Sequence, residues 1–343
     1  MANNDRSKLI KMAQRKVNQQ MRDVGRQVMQ YVDHYQADKV NPADTLIITG
    51  YWRSGTTWLM TLVSQLITTK TMFEPLHVKV FNSLKAHPYA PIIDPAFPYE
   101  DNYLQYFMPF AEEDFSAYRD LEGFMEKALR AEISNPWAQI GRVRVSDAFR
   151  TRVTCKLVRG QLSILAMNRL FGAPVMHVHR DPRPVVASIT RKDWGHWLYD
   201  MSLRKILLEV PDGRAEYFEQ FTDLIDKYDN DDIISRLTVY WVVTEKYVMH
   251  LAETTGVPLI LSYETLLEEG GSDLLKQTLR EMGVADEFNE EIDDAPSETT
   301  QRSRHEAVAK KVPSWKRELD AGTIAKIEKI VTDNNLQDRM VND

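Results

Sequence analysis

Residues 50 to 57, Gly-Tyr-Trp-Arg-Ser-Gly-Thr-Thr, bring together two glycines, the hydroxyls of Ser54, Thr56 and Thr57, and one cation, Arg53. The glycine spacing is that of a phosphate-binding loop, in which backbone N–H groups and a helix dipole hold an anion. Where a nucleoside-triphosphate enzyme has its lysine, this chain has Thr56. That lysine neutralises the outer phosphates. A loop without it suits an anion of lower charge, held by N–H groups, hydroxyls, the helix dipole and Arg53. Taken alone, the stretch also fits a strand-turn-helix with incidental hydroxyls, or the loop of a P-loop kinase.

Such a loop needs a strand before it and a helix after it. Thr45 to Thr49 is a β-branched apolar run that reads as a buried strand, and Trp58 to Thr69 reads as an amphipathic helix. Arg152 to Val158 is the next strand, followed by a helix from Gln161 to Leu170. Ala173 to His179 is the third, running into Arg180-Asp181-Pro182-Arg183-Pro184, whose prolines suit a first helical turn. Ile233 to Thr254 has the period of a core helix, and Val257 to Ser262 is the fourth parallel strand. Strands that each feed a helix predict an α/β fold: a single P-loop-like domain with a central parallel sheet flanked by helices, its ligand lying across the carboxyl ends of the strands.

The flanking segments have their own readings. Residues 1–40 read as an N-terminal amphipathic helix extension, with Val17, Met21, Val24, Val28 and Tyr31 at three- and four-residue spacing, docking on the domain (41–343) or on a second subunit of a homodimer rather than on a membrane surface, since Asp5, Asp23 and Asp33 dilute its positive charge. Residues 81–140 are rich in Pro and aromatics, and read as an acceptor-side insertion or as satellite core. Their later part is expected to form helices carrying Glu112, Glu113, Asp114 and Asp120. Pro75 biases Glu74 toward an extended backbone at the sheet edge. His177 and His179 share a strand face and read as satisfied histidines rather than metal ligands.

At residues 52 to 58 the chain resembles the sulfotransferases that use 3′-phosphoadenosine 5′-phosphosulfate (PAPS), whose 5′-phosphate loop reads Pro-(Lys/Arg)-Ser-Gly-Thr-Thr-Trp; here Trp52 replaces the proline. Arg180-Asp181-Pro182 with Ser188 eight residues beyond Arg180 is similar to that family's 3′-phosphate signature: an arginine fork plus a hydroxyl for a dianion. Tyr263-Glu264-Thr265-Leu266 looks like its Tyr-Glu-Asp-Leu, whose tyrosine contacts adenine. Gln301 to Arg317 carries six Lys or Arg against one Glu and resembles the closing segment of the carbohydrate-type branch. The resemblance implies a cofactor site of Arg53, Ser54, Gly55, Thr56, Thr57, Trp58, Arg180, Ser188, Tyr263, Arg302 and Arg304. It implies PAPS as donor and 3′,5′-adenosine bisphosphate as product.

The cytosolic small-molecule branch ends its second strand in Lys-Thr-His, whose histidine is the base; here the residues are Lys156-Leu157-Val158. The base then falls to Glu74, in a Glu-Pro-Leu pattern like the carbohydrate branch, with His196 as an alternative. Lys156 or Arg159 would neutralise the sulfuryl oxygens and Arg53 the leaving phosphate. A sulfuryl group is less anionic than a phosphoryl group, so no metal is required for in-line displacement. Small-molecule, natural-product and carbohydrate hydroxyls or amines all remain as acceptors. A P-loop kinase and a non-catalytic nucleotide-sensing module remain as rival readings.

Bulk properties set the outer limits. The chain has 343 residues, 43% hydrophobic, enough for a large core. A net charge of −7 argues against a nucleic-acid partner, so any anion site must be a local basic cluster. One cysteine, Cys155, excludes an intramolecular disulfide framework. No stretch approaches a membrane span and the N-terminus lacks an apolar signal core, which together indicate a cytoplasmic protein.

Overall fold

The computed structural model describes residues 24–25, 27–81, 107–141, 145–191, 201–290 and 315–341. At its centre is a five-stranded sheet in the order β2-β3-β1-β4-β5, parallel throughout. The strands are β1 (Leu46–Gly50), β2 (Lys70–Phe73), β3 (Val153–Lys156), β4 (Val175–His179) and β5 (Leu259–Ser262). Every residue of β1 to β4 is buried, which is why β1, β3 and β4 read as largely apolar runs without a strict polar alternation. Successive residues of β1 serve opposite faces: Ile47 enters one core cluster, Leu46 and Ile48 the other.

Four of the five strands lie where the sequence places them. The fifth, β2, is an edge strand that the periodicity does not announce: its Lys70 and Thr71 are polar, yet both are buried. Lys70 is accommodated by an ion pair at 3.3 Å with Asp33, on helical residues 27–36, and this pair ties the N-terminal helix to the sheet edge.

The loop helix runs Thr56–Leu66, shorter than the apolar period suggests, and a 3-10 turn, Val158–Ser163, precedes the helix Ile164–Phe171. The described part of the insertion contains one helix, Leu121–Leu129, which Asp120 precedes. Glu112, Glu113 and Asp114 lie outside any helix, contrary to expectation. Phe107, Phe110, Phe115 and Tyr118 are buried in the main core. The central helix, Ile233–Thr255, starts at Asp232, whose side chain accepts from the Ser235 N–H at 2.9 Å. Among the described residues no helix is long and apolar enough to cross a membrane.

The central helix also carries a buried carboxylate. Glu245 lies 3.1 Å from His177 Nε2 and 3.4 Å from His179 Nδ1, while His177 Nδ1 meets Thr49 Oγ1 at 3.0 Å. Burial raises the Glu245 pKa, but the two imidazoles outweigh it and bring it down to about 2. Burial lowers that of His179, and its bond to Glu245 reverses the effect to a net rise. The two strand histidines are therefore carboxylate partners beneath the carboxyl ends of β1 and β4. Replacing Glu245 by Ala strips a counter-charge from a buried cluster, with an expected loss of about 3 to 5 kcal/mol in denaturant unfolding at neutral pH.

Candidate active site

β1 ends at Gly50, whose missing Cβ would lie 2.7 Å from the Val178 carbonyl of the neighbouring strand, so no larger residue fits. The chain then turns through Tyr51 and Trp52. Trp52, in place of the proline of the related pattern, packs on Tyr51 (5.1 Å between centroids) and on Tyr240 of the central helix (5.6 Å). The Tyr51 hydroxyl donates to the Leu237 carbonyl at 3.2 Å. This aromatic clamp fixes the turn and leaves Arg53 in the left-handed region at φ 68°.

Gly55 follows at φ 89° and begins the loop helix, with no side chain capping that end. The first N–H groups of a helix have no acceptor within it. The Ser54 hydroxyl is fully buried and has no hydrogen-bond partner. A buried orphan hydroxyl beside an uncapped helix start is a chemically fitting place for a phosphate oxygen.

The second anion turn lies against the first. β4 pairs directly with β1, with Gly50 opposite Val178, so Arg180 emerges next to the loop. Arg180 Nη1 donates to the Arg53 carbonyl at 2.8 Å, and Arg53 Nε donates to Ser188 Oγ at 2.9 Å. Ser188 sits on the helix Pro182–Arg191. Burial lowers the Arg53 pKa, and the guanidinium groups of Arg180 and Arg191 lower it further. Cations crowded into a half-buried space at a strand switch are an arrangement whose mutual repulsion an anion would relieve.

Three aromatic or planar groups close over the loop. The Arg180 guanidinium stacks 4.4 Å from the Tyr263 ring, and Trp58 meets Tyr263 edge-on at 5.7 Å. Tyr263 lies so near Gly55 that an added Cβ would come within 2.3 Å of its ring. Glu264 locks this arrangement: its carboxylate accepts from the Asp181 N–H at 3.3 Å and from Ser262 Oγ at 3.1 Å, and lies 3.9 Å from Arg180 Nε. Glu264 stands in the Tyr-Glu-Thr-Leu pattern without a role of its own there, and Arg191 carries no spacing signal; nearness to Arg180 and to Arg53 marks them.

Glu74, just past β2, departs from expectation. Its backbone is not extended but at φ 40°, with its N–H donated to the Lys156 carbonyl at 2.9 Å. The local bias from Pro75 yields to this contact with β3. The carboxylate bonds to Lys156 Nζ and to Arg159 Nη1, the latter at 2.9 Å. Burial raises the Glu74 pKa, but Lys156 and Arg159 outweigh it and hold it at about 2. Burial lowers the Lys156 pKa against the pull of Glu74, and drives that of His77, beside Arg159, down to about 3. Lys156 also lies 4.2 Å over the Phe73 ring.

Arg53, Ser54, Gly55, Thr56, Thr57, Trp58, Arg180, Ser188 and Tyr263 thus lie on the segments that follow the carboxyl ends of the neighbouring strands β1, β4 and β5, with Glu74 and Lys156 at the ends of β2 and β3. Arg302, Arg304 and His196 fall outside the described residues, as do residues 82–106 of the insertion. The residues flanking 291–314 are anchored at separate points. Asn289 bonds to the Gln65 carbonyl at 2.5 Å, while Trp315 lies under Arg183, 4.6 Å away, on the helix that bears Ser188.

Comparison with known proteins agrees with this architecture. The family model "Sulfotransferase domain" matches residues 43–278, more than two thirds of the chain, and the chain belongs to that family of sulfuryl-transferring enzymes. No curated protein matches the chain in sequence. Among solved structures it is similar to mouse sulfotransferase SULT7A1 complexed with PAP (11% identity, 90% of each chain covered, TM-score 0.36). It is also similar to retinol dehydratase in a complex with retinol and PAP (17% identity, 85% of this chain and 81% of that one, TM-score 0.30). The same enzyme with androsterone and PAP gives 17% identity, 85% and 80% coverage, and a TM-score of 0.32. Scores of that size carry no argument here; the assignment stands on the family match.

Two outcomes are expected. Gly55→Ala combines a left-handed backbone with a collision against Tyr263, and should weaken binding of 3′,5′-adenosine bisphosphate about tenfold or more by calorimetry. Because the Glu74 pKa is depressed from 4.5 to about 2, its pairing stabilises the fold fully above pH 4.5, and that stability is lost as pH falls toward 2. Glu74→Gln should flatten that part of the stability profile, read from urea midpoints between pH 2 and 5.

Proposed function

We propose that this sulfotransferase takes its sulfuryl group from PAPS and passes it to a hydroxyl or amine of a small-molecule, natural-product or carbohydrate acceptor. The observation that carries the proposal is the contact of the two anion turns: Arg53 reaches Ser188 while Arg180 holds the Arg53 carbonyl. One adenosine bearing phosphates at both its 3′ and 5′ positions could bridge turns so placed. In this reading Ser54, Thr56, Thr57 and the loop N–H groups hold the 5′ side, and Gly55 lets Tyr263 and the backbone approach closely. Arg180 and Ser188 hold the 3′-phosphate, joined by Arg302 and Arg304, and Trp58 and Tyr263 receive the adenine. Bound there, the donor supplies an activated sulfuryl group, whose bond to phosphate breaks as the acceptor atom bonds to sulfur.

The chain's own groups then divide the remaining tasks. Arg53 meets charge that gathers on the leaving phosphate, and Lys156 meets the sulfuryl oxygens. Glu74 takes the acceptor's proton. Held at about 2 by Lys156 and Arg159, the carboxylate is a weak base in the resting site. A second anion competing for Lys156 would withdraw that counter-charge and raise the proton affinity of Glu74 when an acceptor is in place. The neutral His77 and the Phe73 and Trp137 rings beside it form an apolar surround that strengthens these charge interactions. Cytoplasmic residence belongs to the same proposal, since the lone Cys155, buried with its pKa pushed up to about 12, takes no part in a disulfide scaffold.

Labelled-sulfate transfer from PAPS to a pooled metabolite and glycan library, read by mass, tests the assignment. Arg53→Ala should lower turnover at saturating donor by about 10² to 10³. A chelator should leave turnover unchanged, because the charge is met by side chains. Full activity in Arg53→Ala would refute the mechanism.

A further inference from the structure

The N-terminal helix has one face more than its docking needs. Met29, Asp33 and Ala37 are buried against the domain, with Asp33 paired to Lys70. On another face Val24, Val28, Tyr31 and Tyr35 stand exposed at 59%, 44%, 76% and 71%. They include most of the exposed large hydrophobic residues among the described ones. Single exposed hydrophobics are ordinary, whereas an aligned row signals a contact surface. The row's spacing of four, three and four residues is the seam of a coiled coil, and in the sequence Met21 and Val17 continue the same step.

Three features select the occupant. Positions flanking the seam between Val24 and Tyr35 are Gly25, Gln27, Val32 and His34, none with a fixed charge, and the Lys39 ammonium, 5.7 Å over the Tyr35 ring, stands at the far end from its own counterpart in an antiparallel pair, so a second copy can approach here without opposing like charges. His34 is turned toward Glu132, 3.0 Å away, and Gly25 leaves open space around its missing Cβ. The row is also self-complementary in size. In an antiparallel pair about a two-fold axis passing between Met29 and Gln30, Val24 faces Tyr35 of the second copy and Val28 faces its Tyr31, a small residue against a large one in every layer. A parallel pair would set each tyrosine against itself. We propose that this face is an isologous homodimer interface, in which the N-terminal helices of two copies pack antiparallel through Val24, Val28, Tyr31 and Tyr35.

Sedimentation of the full chain in the micromolar range should give the mass of two chains, and Tyr31→Glu should weaken self-association at least tenfold. Its unfolding midpoint and its binding of 3′,5′-adenosine bisphosphate should stay unchanged, because Tyr31 touches neither core nor cleft. Mixing Val24→Cys chains with Tyr35→Cys chains under mild oxidation should trap mixed dimers; Cys155 is fully buried and does not compete. A wild-type chain that sediments as one copy, or a Tyr31→Glu dimer as strong as wild type, overturns the proposal. So does trapping only like-with-like pairs, which would mean parallel helices. Flotation of single copies with phosphatidylcholine and phosphatidylserine vesicles, lost in Tyr31→Glu, would assign the face to lipid and also overturn it.

Discussion

Arg53 sits where two turns from distant parts of the chain meet. Its side chain bonds to Ser188 beyond β4, and its own carbonyl accepts from Arg180 at the start of that same turn. The contact is possible because β1 and β4 are neighbours in the sheet although more than a hundred residues separate them. A positive φ at Arg53 makes the geometry, and the Tyr51, Trp52 and Tyr240 cluster maintains it. Without that aromatic anchorage the strained residue would relax to an ordinary conformation and lose its hold on Ser188. The anion site is thus a product of core packing as much as of polar groups.

A second constraint lies beneath it. Glu245 ties His177 and His179 together, and Thr49 joins that network from β1 immediately before the loop. The strands that deliver the two anion turns are therefore fixed to each other by hydrogen bonds within the sheet and by a buried charge cluster under it. Buried charges cost free energy unless each is compensated, and here the carboxylate serves both imidazoles. Such a network gives little slack in the relative placement of the two turns.

The Glu74, Lys156 and Arg159 group illustrates a tension within the chemistry. A carboxylate buried between two cations is kept ionised and poorly basic, which preserves the fold. The same cations are the ones an incoming anion would attract. One set of charges thus holds Glu74 in place and is also what a bound anion would compete for, because each cation has only so much charge to share. Positive φ at Glu74, held by its N–H bond to the Lys156 carbonyl, points the carboxylate at its partners rather than along the strand edge.

The sequence alone determined which residue types stand in the two turns that meet at Arg53. Glycine spacing, a string of hydroxyls and an Arg-to-Ser interval are local features, legible within a dozen residues, and the apolar runs of four strands are equally local. Tertiary structure decided what those features do together. The order of the strands sets Arg53 beside Ser188; β2, with polar Lys70 and Thr71, becomes a strand only because Asp33 and the sheet satisfy it; Glu74 abandons the extended backbone its proline favours for a contact with β3. Arg191 joins the site without any signal in its own neighbourhood, and Glu264, though part of the Tyr-Glu-Thr-Leu pattern, takes its part only through its contact with Arg180. In each case the deciding partner lies far along the chain, and a sequence pattern read over one or two turns has no means of registering a bond made across a hundred residues.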